Sequence, residues 1–188
     1  MKKPAKLYVI VPAAVAVILA GVTVWFLFFR GHFNESDFER IRKSMKLGGR
    51  ELSFPLDTGD PGGGLSAEIR DKAQGREYGA FYCGGKKVMD FSADAVSHRT
   101  RWIQISCDHS GDDYDTELIK TFEIDGLTFG DSEMETRAKY GSPQNEQENG
   151  SEKVLEYIVY KNDRIWKNLE LTFDDGKLTE IYVFEFNG

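Results

Sequence analysis

The chain has 188 residues and a formal net charge of −7, with 31 acidic against 24 basic residues. All the acidic residues lie beyond residue 30, whereas four of the basic ones precede residue 31, so the part beyond residue 30 has a net charge of −11. That part is long enough for one ordinary domain or two small ones. Its acidity excludes the basic surface with which proteins bind nucleic acid, and anionic lipid would repel it.

Residues 7–29 form an apolar run without a charged residue, LYVIVPAAVAVILAGVTVWFLFF. As a helix the run would be roughly 35 Å long, enough to cross a hydrocarbon core of about 30 Å. It is longer than the apolar core of a cleavable signal peptide, about 7–15 residues, and it ends in bulky side chains where cleavage needs small ones. The sequence therefore predicts a single-pass membrane protein with an uncleaved signal-anchor, a transmembrane helix over residues 7–29.

The charges beside the run indicate its orientation. Lys2, Lys3 and Lys6 precede it, which favours a cytoplasmic tail over residues 1–6. Basic residues between 40 and 50 favour the opposite orientation, but long domains cross membranes largely regardless of charge. The predicted localisation is the cell membrane, with the N-terminus cytoplasmic and the C-terminal domain exterior.

The juxtamembrane segment, residues 30–50, is predicted to contain a helix. Ser36 and Glu39 have the spacing of a capping box, and apolar residues then recur at helical intervals. Gly48 and Gly49 are typical of a helix C-terminus. The helix is expected over residues 36–47.

A mostly β unit is predicted over residues 51–124. It begins with a strand at 51–56, and apolar residues spaced four apart then indicate a short helix over 65–74. Gly84 and Gly85 suit a two-residue hairpin turn. The remaining strands are expected at 77–83, 86–92, 101–107 and 117–124.

The C-terminal unit, residues 125–188, has the pattern α-β-β-β. Ser132 and Glu135 form a second capping box, and Gly141 and Pro143 end the helix. The strands are expected at 153–160, 165–173 and 177–186. The first and last of them are apolar on both faces, which indicates a sheet covered on one face by the local helix and on the other by the N-terminal half or a partner.

The helix and meander of this unit resemble a known extracytoplasmic module. Gly130, Ser132, Gly141 and Pro143 stand in register with its pattern of Gly-x-Ser/Thr, short helix, Gly-x-Pro and three antiparallel strands, and Thr136 takes the place of a Val or Ile. The module is shared by the E subunit of the outer-membrane barrel-assembly machine and by beta-lactamase inhibitory protein. The match covers about residues 125–187, and the whole chain is similar to uncharacterised cell-surface proteins of Gram-positive bacteria. The resemblance implies that this unit binds other proteins. The module has no catalytic residues that could be assigned to positions of this sequence.

These elements predict an α+β fold. A single transmembrane helix would precede an exterior domain of short helices packed on antiparallel sheets, built from one clear and one diverged helix-plus-meander unit.

Two groups of residues are candidates for covalent or metal chemistry. Cys83 and Cys107, an even pair in an oxidising compartment, suggest a disulfide, with two buried free thiols as the alternative. The acidic loop after residue 107 offers weak calcium ligands, although its spacing does not match an EF-hand and a solvated loop is the preferred interpretation. These ligands are Asp108, Asp112, Asp113 and Asp115. No cofactor motif is present.

Aromatic residues crowd the C-terminal sheet. Most are expected in the core, but an exposed subset would form a binding patch, because Tyr and Trp anchor protein interfaces. The tentative interface residues are Tyr157, Trp166, Tyr182 and Phe184. The favoured function is a membrane-anchored, non-catalytic interaction module that binds another envelope protein. The alternatives are an envelope hydrolase that uses acidic residues and a calcium-responsive exterior domain.

Overall fold

The computed structural model describes residues 33–109, 111 and 113–186. Its helices are α1 (Glu35–Lys43), α2 (Thr116–Ile119) and α3 (Glu133–Tyr140). Its strands are β1 (Met45–Leu47), β2 (Arg50–Leu52), β3 (Ser66–Ala73), β4 (Arg76–Cys83), β5 (Lys86–Asp94), β6 (Thr100–Ser106), β7 (Glu123–Ile124), β8 (Leu127–Thr128), β9 (Asn145–Asn149), β10 (Glu152–Lys161), β11 (Arg164–Asp174) and β12 (Lys177–Glu185).

Eight of the strands form one antiparallel sheet in the order β3-β4-β5-β6-β12-β11-β10-β9. Each half of the chain contributes four neighbouring strands. The two halves join where β6 pairs with β12, with Ile103 opposite Val183 and Ile105 opposite Ile181. A smaller sheet has the order β2-β1-β7-β8.

The core lies on one face of the large sheet. Alternate residues of β12, such as Ile181 and Val183, are fully buried there, as are Phe38 and Ile41 of α1. The small sheet contributes Met45 and other buried residues to the same apolar cluster. Helices, small sheet and large sheet therefore share one core.

Helix α1 is tied to the large sheet by a buried lysine. Lys167 of β11 is 2% exposed, and its Nζ lies 2.7 Å from Glu35 Oε1, 2.9 Å from Glu39 Oε1 and 3.6 Å from Glu185 Oε1. Burial lowers the pKa of Lys167, but the hydrogen bonds to the two helix glutamates, together with the charges of Glu185 and Glu39, raise the pKa overall. The ammonium group is charged and satisfied.

The predicted α+β fold class is wrong. Strands make up 53% and helices 14% of the described residues, so the fold is mostly antiparallel β-sheet. The helix expected over 65–74 is strand β3, in which only Ala67 is half-buried, so the apolar spacing forms no buried helical face. The first half therefore does not contain a diverged copy of the helix-plus-meander unit in the predicted form.

The N-terminal membrane part of the predicted fold also finds no support. The longest helix in the described part of the chain is α1, with nine residues, and no helix there is long and apolar enough to cross a membrane. Residues 7–29, to which the transmembrane helix was assigned, lie outside the described residues.

Helix boundaries differ from the expected ones where another residue caps the helix. The cap of α1 is Asn34, whose side chain accepts hydrogen bonds from the backbone of Ser36 and Asp37. The helix ends at Lys43, because the chain then enters β1. The strand expected over 117–124 begins as α2, because the Asp115 side chain accepts a hydrogen bond from Leu118 N.

Several other elements are confirmed. Strands β4 and β5 flank Gly84 and Gly85, and α3 has the capping box of Ser132 and Glu135. The three C-terminal strands are β10, β11 and β12. The polar stretch before them, however, forms β9, an edge strand whose residues are all exposed.

Candidate functional site

The second face of the large sheet, which we call the open face, carries the candidate site. Cross-strand partners lie on the same face of a sheet. One row of such partners crosses all eight strands, in the order Glu68, Ala80, Asp90, Gln104, Tyr182, Glu170, Glu156 and Asn145. A neighbouring row runs through Tyr78, Ser92, Trp102, Phe184, Asn168 and Ile158.

The arrangement of the open face differs from the expected one in one respect. The N-terminal half was a candidate to cover the C-terminal sheet, but it extends the sheet edge to edge through the β6–β12 pairing. Most side chains of the two rows on the central strands are half-buried, shielded by their neighbours. None of the three helices in the described part of the chain contributes a buried residue to this face.

Aromatic rings lie at the centre of the open face. The Trp102 and Tyr182 rings are 5.7 Å apart between centroids and tilted by 35°. Phe184 lies directly opposite Trp102 on the neighbouring strand. Burial first, and the charge of Glu170 second, raise the pKa of Tyr182 to about 12, so its hydroxyl stays protonated and is a hydrogen-bond donor at neutral pH.

Carboxylates gather beside these rings on the C-terminal half of the sheet. Glu170 is half-buried between Tyr182 on β12 and Glu156 on β10, and Glu180 lies diagonally from it on β12. Burial, followed by repulsion from Glu156 and Glu180, raises the pKa of Glu170 above its usual value. Asn145 donates a hydrogen bond to Glu156 and Gln104 donates one to Glu180, each through its side-chain amide. Within the described residues, the Glu170 side chain has neither a hydrogen bond nor an ion pair.

A buried amide lies next to this glutamate. Asn168 is two residues before Glu170 on the same face of β11, and it is 9% exposed. Its Oδ1 atom has no hydrogen-bond partner in the described part of the protein. A buried acceptor without a donor costs about 1–3 kcal/mol, so an arrangement that retains one needs an explanation.

A separate cavity of about 450 Å³ lies near the end of the β10–β11 hairpin. Trp166 is half-buried in its wall, with the Lys161 ammonium 4.3 Å from the ring centroid and the Phe186 ring 5.6 Å away. The side chains of Arg164 and Ile165 complete its lining, together with Asn162. The cavity is cationic and aromatic, in contrast to the acidic centre of the face.

The structure separates the four tentative interface residues. Tyr182 and Phe184 lie on the open face, and Trp166 lines the cavity at its end. Tyr157 is fully buried on the core face, where its hydroxyl donates to the Gly141 carbonyl at 3.2 Å. It therefore belongs to the packing between sheet and α3 rather than to the surface.

The acidic loop shows no metal-binding arrangement in its described part. Asp115 caps α2, and the Asp113 carbonyl accepts from Lys87 N. Asp108 contacts the Cys107 thiol at 3.7 Å, and Asp112 lies outside the described residues. Across the described ranges, no three His, Cys, Asp or Glu side chains are placed to hold a metal ion.

The predicted disulfide is wrong, because Cys83 and Cys107 are both free and half-buried. Cys83 ends β4 and Cys107 follows β6, with β5 between these two strands. Strands two apart in a sheet are separated by about 9.5 Å, beyond the Cα distance of roughly 4.4–6.8 Å that a disulfide spans. Burial raises the pKa of the Cys107 thiol, which makes it less reactive.

Sequence reasoning missed Trp102, Asn168 and Glu170 as site residues. Alternation along β11 places Asn168 and Glu170 on the face opposite Leu169, so their face was readable from the sequence. The missing information was that β6 pairs with β12, which places Trp102 on the same face as these two residues, with Phe184 of β12 between Trp102 and Asn168. That pairing joins residues about 80 positions apart in the chain.

Comparison with known proteins identifies no family. No family model matches the sequence, and the comparisons with curated proteins and with solved structures found no match. The resemblance of residues 125–187 to the extracytoplasmic module therefore stays a prediction that rests on the quoted residues.

Proposed function

We propose that this protein is a non-catalytic interaction module that binds another protein of the cell envelope through the open face. The observation that carries the proposal is the cluster of aromatic side chains, Trp102, Tyr182 and Phe184, on the two central strands of the large sheet. The helices of the described residues bury their apolar side chains on the other face of that sheet. Half-buried aromatic rings at the centre of a surface are typical of the residues that dominate binding energy.

The proposed location is the exterior side of the cell membrane, with the apolar segment 7–29 holding the domain there. The support is the length of that segment and the three lysines before it. A membrane-impermeant amine reagent applied to intact cells is expected to label lysines of the domain, such as Lys86. Labelling of the domain only after lysis would contradict the orientation.

Site-specific photocrosslinking tests the binding face. We expect a chain with p-benzoylphenylalanine at position 184 to form a discrete protein adduct in the cells that produce it. The control places the same group at position 96, because Val96 is 88% exposed in the β5–β6 loop, away from the open face. An adduct from position 184 alone supports the proposal.

Two results would contradict it. The first is identical adducts from both positions, which would show contact without a preferred surface. The second is the absence of adducts from position 184 and also from position 102, in a chain that unfolds at the same temperature as the wild type.

A further inference from the structure

We infer that the end of the β10–β11 hairpin docks on the membrane surface and holds a phospholipid headgroup in its cavity. The inference rests on the proposed location at the membrane and adds a lipid contact that is separate from the centre of the open face. The hairpin end is defined by Tyr160, Lys161, Arg164, Ile165 and Trp166, with Phe186 beside them.

The hairpin end concentrates exposed apolar surface. Of the six large hydrophobic side chains that the described residues expose, three lie here, namely Tyr160, Ile165 and Phe186. Tyr160 and Ile165 are cross-strand partners, and the backbone N–H of Phe186 donates to the Trp166 carbonyl. Exposed aromatic and aliphatic groups that lie together mark an interaction site.

Two cations accompany this apolar surface. Lys161 and Arg164 line the cavity of about 450 Å³, and the Lys161 ammonium lies 4.3 Å from the centroid of the Trp166 ring. Within the described residues, no carboxylate lines the cavity or forms an ion pair with either cation. Phosphate oxygens are strong acceptors for ammonium and guanidinium groups. Trp and Tyr rings are enriched where headgroups meet hydrocarbon, so a phospholipid surface matches both the cations and the rings.

The described domain begins only a few residues after the apolar segment. Phe33 is 4% exposed, and its ring packs against Tyr140 and Tyr157, so the chain is fixed to the domain from this residue on. The four steps from Phe29 to Phe33 span at most about 14 Å. A membrane that holds residues 7–29 therefore lies close to the domain.

The hairpin end lies near the start of α1, which follows Phe33. Lys167 comes directly after Trp166 in β11, and its Nζ lies 2.7 Å from Oε1 of Glu35, the first residue of α1. Successive strand residues are about 3.3 Å apart, so Arg164 lies about 10 Å further towards the turn. The hairpin end is therefore within reach of the surface that holds the apolar segment.

The net charge of −11 beyond residue 30 does not prevent this contact. Salt screens charges that are more than about 8 Å apart at physiological ionic strength. A lipid at the hairpin end therefore interacts with Lys161 and Arg164 rather than with carboxylates of distant strands. Asp163 lies in the turn between them, but it is not among the described residues that line the cavity.

The three tryptophans of the chain allow the contact to be measured. Three variants of the full chain each keep one of Trp25, Trp102 and Trp166, with phenylalanine at the other two positions. They are placed in nanodiscs of zwitterionic phosphatidylcholine, with or without bromine on the upper part of the acyl chains, which quenches tryptophan at short range. We expect bromine to quench Trp166 at least about twice as strongly as Trp102, which lies two strands away on β6.

A charge at the hairpin end should lift it from the lipid. In the chain that keeps Trp166, we expect Ile165→Asp to lower the quenching about two-fold, because a charged side chain is costly in apolar lipid. The control is Met134→Asp, at an exposed position of α3 near Lys177, which begins β12 at the opposite end from Phe186. It should leave the quenching unchanged, and equal effects of the two aspartates would overturn the inference.

Trp25 distinguishes failure of this inference from failure of the proposed location, because it belongs to the apolar segment. If bromine quenches Trp25 but quenches Trp166 no more than Trp102, the lipid contact is overturned while the membrane location stands. If bromine does not quench Trp25, the proposed location is overturned, and this inference with it.

Discussion

At the scale of single residues, Glu170 shows how an uncompensated charge on the open face lowers stability. Its carboxylate is half-buried, faces Glu156 across the strand pair and has no cation among the described residues. Like charges directly opposite each other destabilise a sheet.

We expect Glu170→Gln to stabilise the protein at neutral pH but not in acid. The pKa of Glu170 is raised in the folded state, so its contribution to stability is present below about pH 4.5 and is lost as the pH rises through the raised pKa. Glutamine stays neutral throughout. Urea unfolding should therefore show a gain of about 1 kcal/mol at pH 7.5 and none at pH 3.5. A gain of the same size at both pH values would show that charge is not the cause.

Thr136 shows the cost of a polar atom in the core. It lies in α3 where the resembling module has Val or Ile, it is fully buried, and its Oγ1 has no hydrogen-bond partner in the described structure. Thr136→Val keeps the shape of the side chain and removes the unsatisfied hydroxyl. We expect the free energy of unfolding to rise by about 1 kcal/mol.

Thr179 provides the matched control for this substitution. Its hydroxyl donates to the Thr172 carbonyl at 3.3 Å, so Thr179→Val removes a hydrogen bond that is made. The same measurement should show a loss of stability. If both valine variants changed stability in the same direction, hydrogen bonding would not be the determining factor.

At the scale of elements, α1 is joined to the sheet by charge as well as by apolar packing. Its residues Phe38 and Ile41 are fully buried. The Lys167 ammonium lies between two glutamates of α1 and Glu185. Glu185 is itself 7% exposed. Removal of the lysine charge would leave this buried carboxylate with Arg42, at 3.5 Å, as its one paired cation among the described residues.

We expect Lys167→Met to lower the free energy of unfolding by about 3 kcal/mol, because it leaves a buried carboxylate poorly compensated. Lys86→Met, at an exposed position of β5, should change it by less than about 0.5 kcal/mol. Adding Glu185→Gln to Lys167→Met should recover part of the loss. Failure of the double variant to recover stability would assign the effect to packing of the lysine stem.

The elements that the sequence predicts correctly are those with local signals. The capping box of Ser132 and Glu135 and the glycine pair at 84–85 each act within a few residues, and the structure has both. The segment over 65–74 has helical spacing of apolar residues, but residues 66–73 pair with β4 as the edge strand of the large sheet. Tertiary pairing therefore overrides the local preference.

At the scale of the whole molecule, the β6–β12 pairing makes one sheet and one core from both halves of the chain. We therefore expect a single cooperative unfolding transition. Two variants report on the two halves, each with Trp25→Phe: one keeps only Trp102 on β6, and the other keeps only Trp166 on β11. Their fluorescence should give the same urea midpoint and slope.

Two separate transitions would contradict this expectation and would show that the halves are independent domains. The control is far-ultraviolet circular dichroism of each variant, which reports on all strands and should follow the same curve. If one tryptophan substitution destabilises the whole protein, the midpoints measured by dichroism and by fluorescence for that variant will shift by the same amount.

The sequence by itself determined the local features of this protein: the acidic charge, the apolar segment 7–29, the caps and turns, and the face on which each residue of β11 and β12 lies. These follow from charge and from periodicities of two and 3.6 residues, which need no knowledge of distant contacts. Only the tertiary structure decided that β3 is a strand, that Cys83 and Cys107 are separated by β5, and that Trp102 lies opposite Phe184. Each of these depends on which strands are neighbours, and that choice is made by pairing and burial between residues far apart in the chain.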